Sequence, residues 1–202
     1  AARSLILAAR NRGARVIFAS SQTAREDAPT AYGRTKWLVE REVLASDGLV
    51  VRLGQVYGGA EGGLFGFMVS IVRKSLVLPA FLPGPLIQPI HVDDCTRALV
   101  TLAESRNATS RVYSLGAVVP CTFTKFLRSA STHWVRKRRF FIPVPVLLIQ
   151  FMLWLLGSRL GKKFGTGRLT SLFGLHVMET ASDLAETGLE LRPLSAGMHR
   201  SG

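Results

Sequence analysis

The sequence predicts an α/β fold in which parallel strands alternate with helices. Two observations support this class: short apolar runs typical of buried strands, and a helical repeat of apolar positions between two of them. A strand, a helix and a parallel strand form a right-handed crossover unit. With 202 residues and 48% hydrophobic content, the chain can bury a sizeable core, and disorder of the whole chain is excluded.

The N-terminal elements are bounded by clear local signals. The first predicted strand ends in the pair Ser20-Ser21, and Asp47-Gly48 ends the helix that follows. The predicted elements of this part are a helix at 4–9, a strand at 16–19, a helix from Pro29 or Thr30 to Leu44, and a strand at 49–53.

Later elements are shorter. Asp93-Asp94 is predicted to be the N-cap and first turn of a helix that runs through Ala103. Gly188 is predicted to end a short helix that begins near Ser182. The other predicted segments are a glycine-rich loop at 54–63, a surface loop at 107–111, an apolar helix at 142–157 and a short helix at 169–173.

A tyrosine and a lysine four residues apart open the second helix. Tyr32 and Lys36 therefore share one face of it, and both side chains can reach one pocket. A lysine ammonium beside a phenol favours the phenolate, so Tyr32 becomes a usable acid or base. Ser21, at the end of the preceding strand, can hold a substrate oxygen, and Ser20 is the neighbouring alternative. Together these residues predict a proton-transfer site.

Four motifs follow one another in a recognisable order. They are Ser-Ser after a strand, Tyr-x-x-x-Lys, Arg-Leu-Gly-Gln-Val-Tyr-Gly at 52–58, and His-Val-Asp-Asp at 91–94. In this order the chain resembles extended short-chain dehydrogenases/reductases, the NAD(P)-dependent epimerase/dehydratase group. The resemblance covers residues 1–130 well and the remainder weakly, and four ordered motifs are far more specific than one.

The resemblance implies a role for each site residue. Tyr32 would be the catalytic acid or base and would also contact the cofactor, and Lys36 would bind the nicotinamide ribose of NAD or NADP. Ser21 would orient the substrate oxygen. Leu53 stands where the backbone of such enzymes meets the nicotinamide, and Gln55 stands where many members carry an asparagine that contacts a sugar substrate.

One part of the family pattern is absent from these 202 residues. No glycine-rich pyrophosphate turn precedes Ser20. We therefore expect the C-terminal part of a Rossmann-type doubly wound parallel sheet at 1–115, followed by a small, mostly helical substrate-side region at 116–202. This predicts an N-terminally truncated member of the family, and a chain that is inactive in isolation because it binds the cofactor weakly or not at all.

The substrate is predicted to be a small molecule that resembles a nucleotide sugar. One departure weakens recognition of a nucleoside diphosphate: Ile87 and Gln88 stand where many UDP-sugar enzymes carry Arg-Asp, whose arginine pairs with the phosphates. Arg73 or Lys74 could supply positive charge instead.

The net charge of +13 suggests a basic surface. Nucleic-acid binding is not predicted, because the densest run, Arg136–Arg139, lacks a recognition-helix pattern. The adjacent apolar helix predicted at 142–157 is short for a membrane span and favours a buried or partner-packed helix, with shallow membrane contact as the alternative. A catalytically silent, structural or cofactor-sensing member that docks on a membrane or membrane-bound assembly is therefore the alternative function.

The remaining polar residues predict no metal centre. Cys95 and Cys121 have neither metal-ligand nor disulfide-framework spacing and suit a reducing, cytoplasmic compartment. His91 is interpreted as a structural residue, and Tyr57 and Tyr113 as packing residues. If the protein forms the helix-paired dimer common in such families, the helix from Tyr32 to Leu44 would provide one face of it.

Overall fold

A computed structural model describes residues 2–61, 63–105, 111–148 and 166–195. No described helix is both long and apolar enough to cross a lipid bilayer. In chain order the described elements are α1 (Ala2–Asn11), β1 (Ile17–Ser21), α2 (Ala31–Ala45), β2 (Leu49–Leu53), β3 (Gln55–Tyr57), α3 (Gly63–Lys74), β4 (Val77–Leu82), β5 (Leu86–Ile87), β6 (Pro89–His91), α4 (Val92–Glu104), β7 (Val112–Leu115), β8 (Cys121–Thr122), α5 (Phe123–Ser129), a π-helical turn (Ala130–Trp134), β9 (Phe140–Pro145), α6 (Thr166–Phe173) and α7 (Ala181–Thr187).

The central sheet has three parallel strands in the order β1-β2-β7. The register pairs Ser21 with Leu53 and Leu53 with Leu115, so the carboxyl ends of the three strands lie level. The predicted α/β class and its Rossmann-type parallel sheet are confirmed. In open sheets of this kind, ligands bind outside the carboxyl ends of the strands, which is where Ser21 and Leu53 lie.

Helix α2 begins and ends at the predicted signals. The side-chain oxygen of Thr30 accepts a hydrogen bond from the Gly33 N–H at 3.3 Å, which caps the helix. Asp47, at φ 57°, turns the chain out of the helix. Val43 packs against the fully buried Val50 of β2 and so fixes the helix on the sheet.

Strands β3 and β6 form a short parallel pair beside the central sheet. The expectation of an uninterrupted loop at 54–63 is therefore wrong for residues 55–57, which pair with residues 89–91. Gly54 makes this approach feasible, because a Cβ there would lie 1.9 Å from the carbonyl oxygen of Gln88. The strands can approach this closely only with glycine at position 54.

The N-cap of α4 also differs from the expectation. His91, not the Asp93-Asp94 pair, is the capping residue: its Nδ1 accepts a hydrogen bond from the Asp93 N–H at 3.2 Å. The two aspartates occupy the first helical turn, where negative charge is favourable. The structural role expected for His91 is thus what the structure gives it.

The segment predicted as an apolar helix at 142–157 begins inside a strand. Residues 142–145 belong to β9, which pairs in parallel with β4 along its whole length. Pro143 and Pro145 disfavour a helix here, and β4 offers an edge with which the segment pairs. Residues 146–148 are helical, and 149–157 lie outside the described residues, as do 107–110 of the predicted surface loop.

The core lies on both sides of these strands. Tyr57 and Tyr113 are buried, which confirms their packing role. Tyr57 stacks on Trp134 with ring centroids 5.3 Å apart. The short C-terminal helices form as expected, and Gly188, at φ 61°, provides the left-handed residue that ends α7.

Candidate active site

Tyr32 and Lys36 lie together in the first two turns of α2, as their spacing predicts. The Lys36 Nζ donates a hydrogen bond to the Ala19 carbonyl oxygen at 2.8 Å and lies 5.8 Å from the centroid of the Tyr32 ring. The same nitrogen lies 4.6 Å from the centroid of the Phe18 ring. The lysine therefore bridges the helix and β1, and Tyr32 remains 56% exposed.

The two candidate serines have different surroundings. The Ser20 hydroxyl donates to the buried Glu40 carboxylate at 2.6 Å, so its proton is already committed. The Ser21 oxygen lies 3.0 Å from the Thr23 hydroxyl, and either can donate. A hydroxyl pair of this kind can reorient towards a substrate oxygen, which favours Ser21 over Ser20 for the predicted role.

A cleft of about 1080 Å³ lies at the carboxyl ends of β1 and β2. It is lined by four of the predicted site residues, Ser21, Tyr32, Leu53 and Gln55. Lys36 is not among the lining residues, but Ala19, whose carbonyl it holds, is. The structure therefore brings the predicted catalytic, cofactor-side and substrate-side residues to one place, and their individual roles stay predictions.

One part of the cleft wall is apolar. Phe65, Leu172 and Leu175 contribute to this wall together with Val56. Among the described residues, none of those that line the cleft is Asp, Glu, Lys or Arg. The polar groups that it offers are hydroxyls and amides, which suit a neutral polar group on an otherwise apolar molecule.

Burial affects the charge state of the site lysine. Partial burial lowers the pKa of Lys36 from its usual value, and the negative charge of Glu40 opposes that effect. Glu40 follows Lys36 by four residues, and this spacing in the sequence was the signal that could have identified it.

Gln88, which together with Ile87 stands in place of the Arg-Asp pair of many UDP-sugar enzymes, is a buried amide. Gln88 is 0% exposed, and its Nε2 donates to the carbonyl oxygens of Ala117 and Met178 at 3.1 and 2.8 Å. Its Oε1 accepts from the Met178 N–H and from Gln22. Gln88 therefore joins three segments and offers nothing to a nucleotide, and Arg73, the alternative cation, pairs with Glu61.

A second cavity of about 660 Å³ lies between Tyr57 and the C-terminal segment. Arg192 closes one side of it through an ion pair with Asp93 and a backbone hydrogen bond to Asp94. Burial, with the nearby Asp94 charge, raises the pKa of Tyr57 to about 12. Tyr57 therefore stays a neutral phenol at physiological pH and does not compete with Tyr32 as an acid or base.

The cysteines are buried and unpaired. Burial raises the pKa of the Cys95 thiol to about 12 and also raises that of Cys121. Both thiols are therefore protonated at physiological pH, and neither is activated as a nucleophile. Within the described ranges, no cluster of three or more His, Cys, Asp or Glu side chains could hold a metal ion.

The sheet, the crossover helix and the position of the cleft together define a Rossmann-type protein with the fold of the extended short-chain dehydrogenases/reductases. The predicted resemblance is confirmed at the level of the fold. No model of a known protein family matches the sequence.

Among characterised proteins, the chain is similar to a ceramide reductase of Caulobacter vibrioides, strain NA1000 / CB15N. The two are 34% identical over 106 residues, which are 52% of this chain and 33% of that protein. The chain thus spans one third of the length of this relative.

Two solved structures show the same fold. The dTDP-4-dehydrorhamnose reductase of Bacillus anthracis str. Ames, in complex with NADP, has a TM-score of 0.61 at 17% identity, over 73% of this chain and 57% of that one. MoeE5, in complex with UDP-glucuronic acid and NAD, has a TM-score of 0.62 at 20% identity, over 98% of this chain and 68% of that one.

Proposed function

We propose that the chain provides the proton-transfer part of an NAD(P)-dependent oxidoreductase of the epimerase/dehydratase and reductase type. The observation that carries the proposal is the arrangement of Ser21, Tyr32, Leu53 and Gln55 around one cleft, with Lys36 bound to the strand at its edge. The likeness in fold to proteins that were crystallised with NADP or NAD supports it.

Each residue has a definite task in this proposal. Tyr32 exchanges a proton with a substrate hydroxyl or carbonyl oxygen, and Ser21 shares the hydrogen bond to that oxygen. Lys36 and Leu53 would contact the cofactor. The exposed side chain of Tyr32 would then lie where the cofactor and the substrate meet. When bound, the nicotinamide group would supply or accept the hydride. Gln55 contacts the substrate beyond the reacting carbon.

Two substrate classes fit the same reaction. The fold relatives favour a sugar-nucleotide-like substrate. The absence of charged residues among those described around the cleft, together with its apolar wall, favours an uncharged lipid amide, and the ceramide reductase relative agrees with this class. In either case the reacting group is a secondary alcohol or ketone beside Tyr32.

A parallel assay separates the two classes. The full-length natural protein is incubated with NAD⁺ or NADP⁺, which can accept a hydride from a secondary alcohol, and with either UDP-glucuronic acid or a detergent-dispersed ceramide. Products are separated by chromatography and analysed by mass spectrometry, with the nicotinamide absorbance as a second readout. We expect turnover with one class only, and the uncharged cleft favours the ceramide. Turnover of neither probe with either cofactor, in protein shown to be folded, would contradict the proposed function.

A membrane-docking role is the second candidate, favoured by one exposed surface. The outward face of the β4–β9 pair, defined by Val77, Phe140 and Ile142, is apolar and 46%, 67% and 52% exposed. The exposed residues Arg136, Lys137 and Arg138 immediately precede it in the chain. Apolar side chains beside cations match an anionic lipid surface.

Vesicle flotation tests this candidate. We expect the protein to float with vesicles that contain phosphatidylglycerol and much less with pure phosphatidylcholine, and high salt should weaken the binding. The double variant Phe140→Ser, Ile142→Ser should lose flotation. The matched control Val118→Ser, Val119→Ser removes two other apolar side chains that are at least half exposed and should float normally. Equal loss in both variants, or no flotation at all, would rule out docking through this face.

A further inference from the structure

Glu40 is a buried carboxylate one helical turn beyond Lys36. It is 1% exposed. Its Oε1 accepts hydrogen bonds from the Ser20 hydroxyl at 2.6 Å and from Arg52 Nε at 3.0 Å, and its Oε2 accepts from Arg52 Nη2 at 2.6 Å. One carboxylate on α2 therefore holds β1 and β2 at the same time.

The location of these contacts links Glu40 to the cleft. Ser20 directly precedes Ser21 at the end of β1, and Arg52 directly precedes Leu53 at the end of β2. Lys36, on the same helix, holds the Ala19 carbonyl oxygen. The helix is thus fixed to the strand ends by two successive turns, at the points where the proposed catalytic residues lie.

Stability alone gives little reason for a buried ion pair. Such pairs are often replaceable by apolar residues without loss of stability, because removing two charges from water costs as much as their attraction returns. Glu40 lies one helical turn from Lys36 on the same helix, so its buried charge can act on that lysine as well as hold the strands.

We infer that Glu40 is a positioning residue, which sets the orientation and the charge of Lys36 without touching substrate. The inference rests on the proposed function of Tyr32 and Lys36. Glu40 holds α2 at the ends of β1 and β2, so that the Lys36 amine reaches the Ala19 carbonyl oxygen. The negative charge of Glu40 also favours the ammonium form of Lys36.

The surroundings of Lys36 support the electrostatic part. Partial burial lowers the pKa of this lysine, and the Glu40 carboxylate acts against the lowering. The other described groups that contact the Lys36 amine are the Tyr32 ring, the Phe18 ring and the Ala19 carbonyl oxygen. Arg52, the remaining charged group of the cluster, is paired with Glu40.

The test is an NMR titration of the lysine side chains. The chain is reductively methylated with ¹³C-formaldehyde, and the Lys36 signal is assigned as the one that is absent in Lys36→Arg. Glu40→Gln should lower the titration midpoint of Lys36, because it removes the opposing charge while keeping the shape of the side chain. Glu40→Asp, which keeps the charge, should restore most of the wild-type midpoint.

Glu42→Gln is the matched control. It makes the same change on the same helix, at a residue that pairs with Arg3 on the surface, and should leave the Lys36 midpoint unchanged. We expect Glu40→Gln to fold, because the Arg52 side chain is 33% exposed and can be hydrated. If it does not, Glu40→Gln combined with Arg52→Gln removes both charges and should still lower the midpoint, by less than Glu40→Gln alone, because loss of the Arg52 charge acts in the opposite direction.

An unchanged Lys36 midpoint in the folded Glu40 variant overturns the inference, even if the melting temperature falls, since a purely structural role would affect only stability. A shift of equal size in Glu42→Gln also overturns it. The titration needs neither cofactor nor substrate. Its outcome is therefore independent of the turnover assay, and failure of the proposed function is seen in that assay alone.

Discussion

Replacement of Tyr32 by phenylalanine is expected to lower kcat by about 100- to 10,000-fold, the usual contribution of a positioned acid or base. The variant keeps the aromatic ring over which Lys36 lies, and it removes only the hydroxyl that would exchange the proton. Cofactor affinity should therefore change little. The measurement is steady-state turnover of the full-length natural protein with whichever probe substrate of the parallel assay is turned over. Fluorescence titration with NADPH or NADH measures the cofactor affinity.

Tyr57→Phe is the matched control for this variant. It removes the same hydroxyl from a tyrosine that lies in the core outside the cleft, where it donates to the Arg192 and Pro193 carbonyl oxygens. We expect some loss of stability and a nearly unchanged kcat. Retention of full activity by Tyr32→Phe would assign the proton transfer to another group.

Arg52→Met is expected to lower the free energy of unfolding by about 3 kcal/mol. The change leaves the Glu40 carboxylate buried with only the Ser20 hydroxyl as a partner, and an unpaired buried charge is strongly destabilising. The expected value is at the lower end of the range for broken buried pairs, because the Arg52 side chain is 33% exposed. Urea denaturation followed by circular dichroism measures it.

Arg3→Met gives the comparison for an exposed pair. Arg3 binds Glu42 on the surface, where water and salt screen the attraction, so we expect no measurable change in unfolding. If Arg52→Met were as stable as wild type, Glu40 would have to be hydrated or neutral, and the interpretation of this cluster would be wrong.

The central part of the fold follows from local signals in the sequence. Thr30, Asp47 and Gly188 act at short range, through a cap, a turn and a left-handed residue, and each lies where it was expected. Tyr32 and Lys36 share a face because helical spacing alone determines it. The parallel sheet follows because a helix between two buried strands leaves few other connections.

The structure differs from the sequence-based expectations where contacts between distant residues decide the local structure. An apolar run does not distinguish a strand from a helix, so the pairing of residues 142–145 with β4 was not visible without the fold. Strand β3 lies where the sequence predicts a loop for the same reason, since its partner β6 is more than thirty residues away. The roles of Gln88 and Arg52 depend on contacts across the fold in the same way.

The uncharged lining of the cleft has a consequence for selectivity. A charged substrate group that entered the described part of the cleft would lose hydration, and none of the described lining residues is a Lys or Arg that could pair with it. A neutral chain with one amide or hydroxyl loses little hydration and gains contact with Phe65 and Leu172. On the substrate side, the cleft would therefore disfavour anionic groups before any specific hydrogen bond to the substrate is formed.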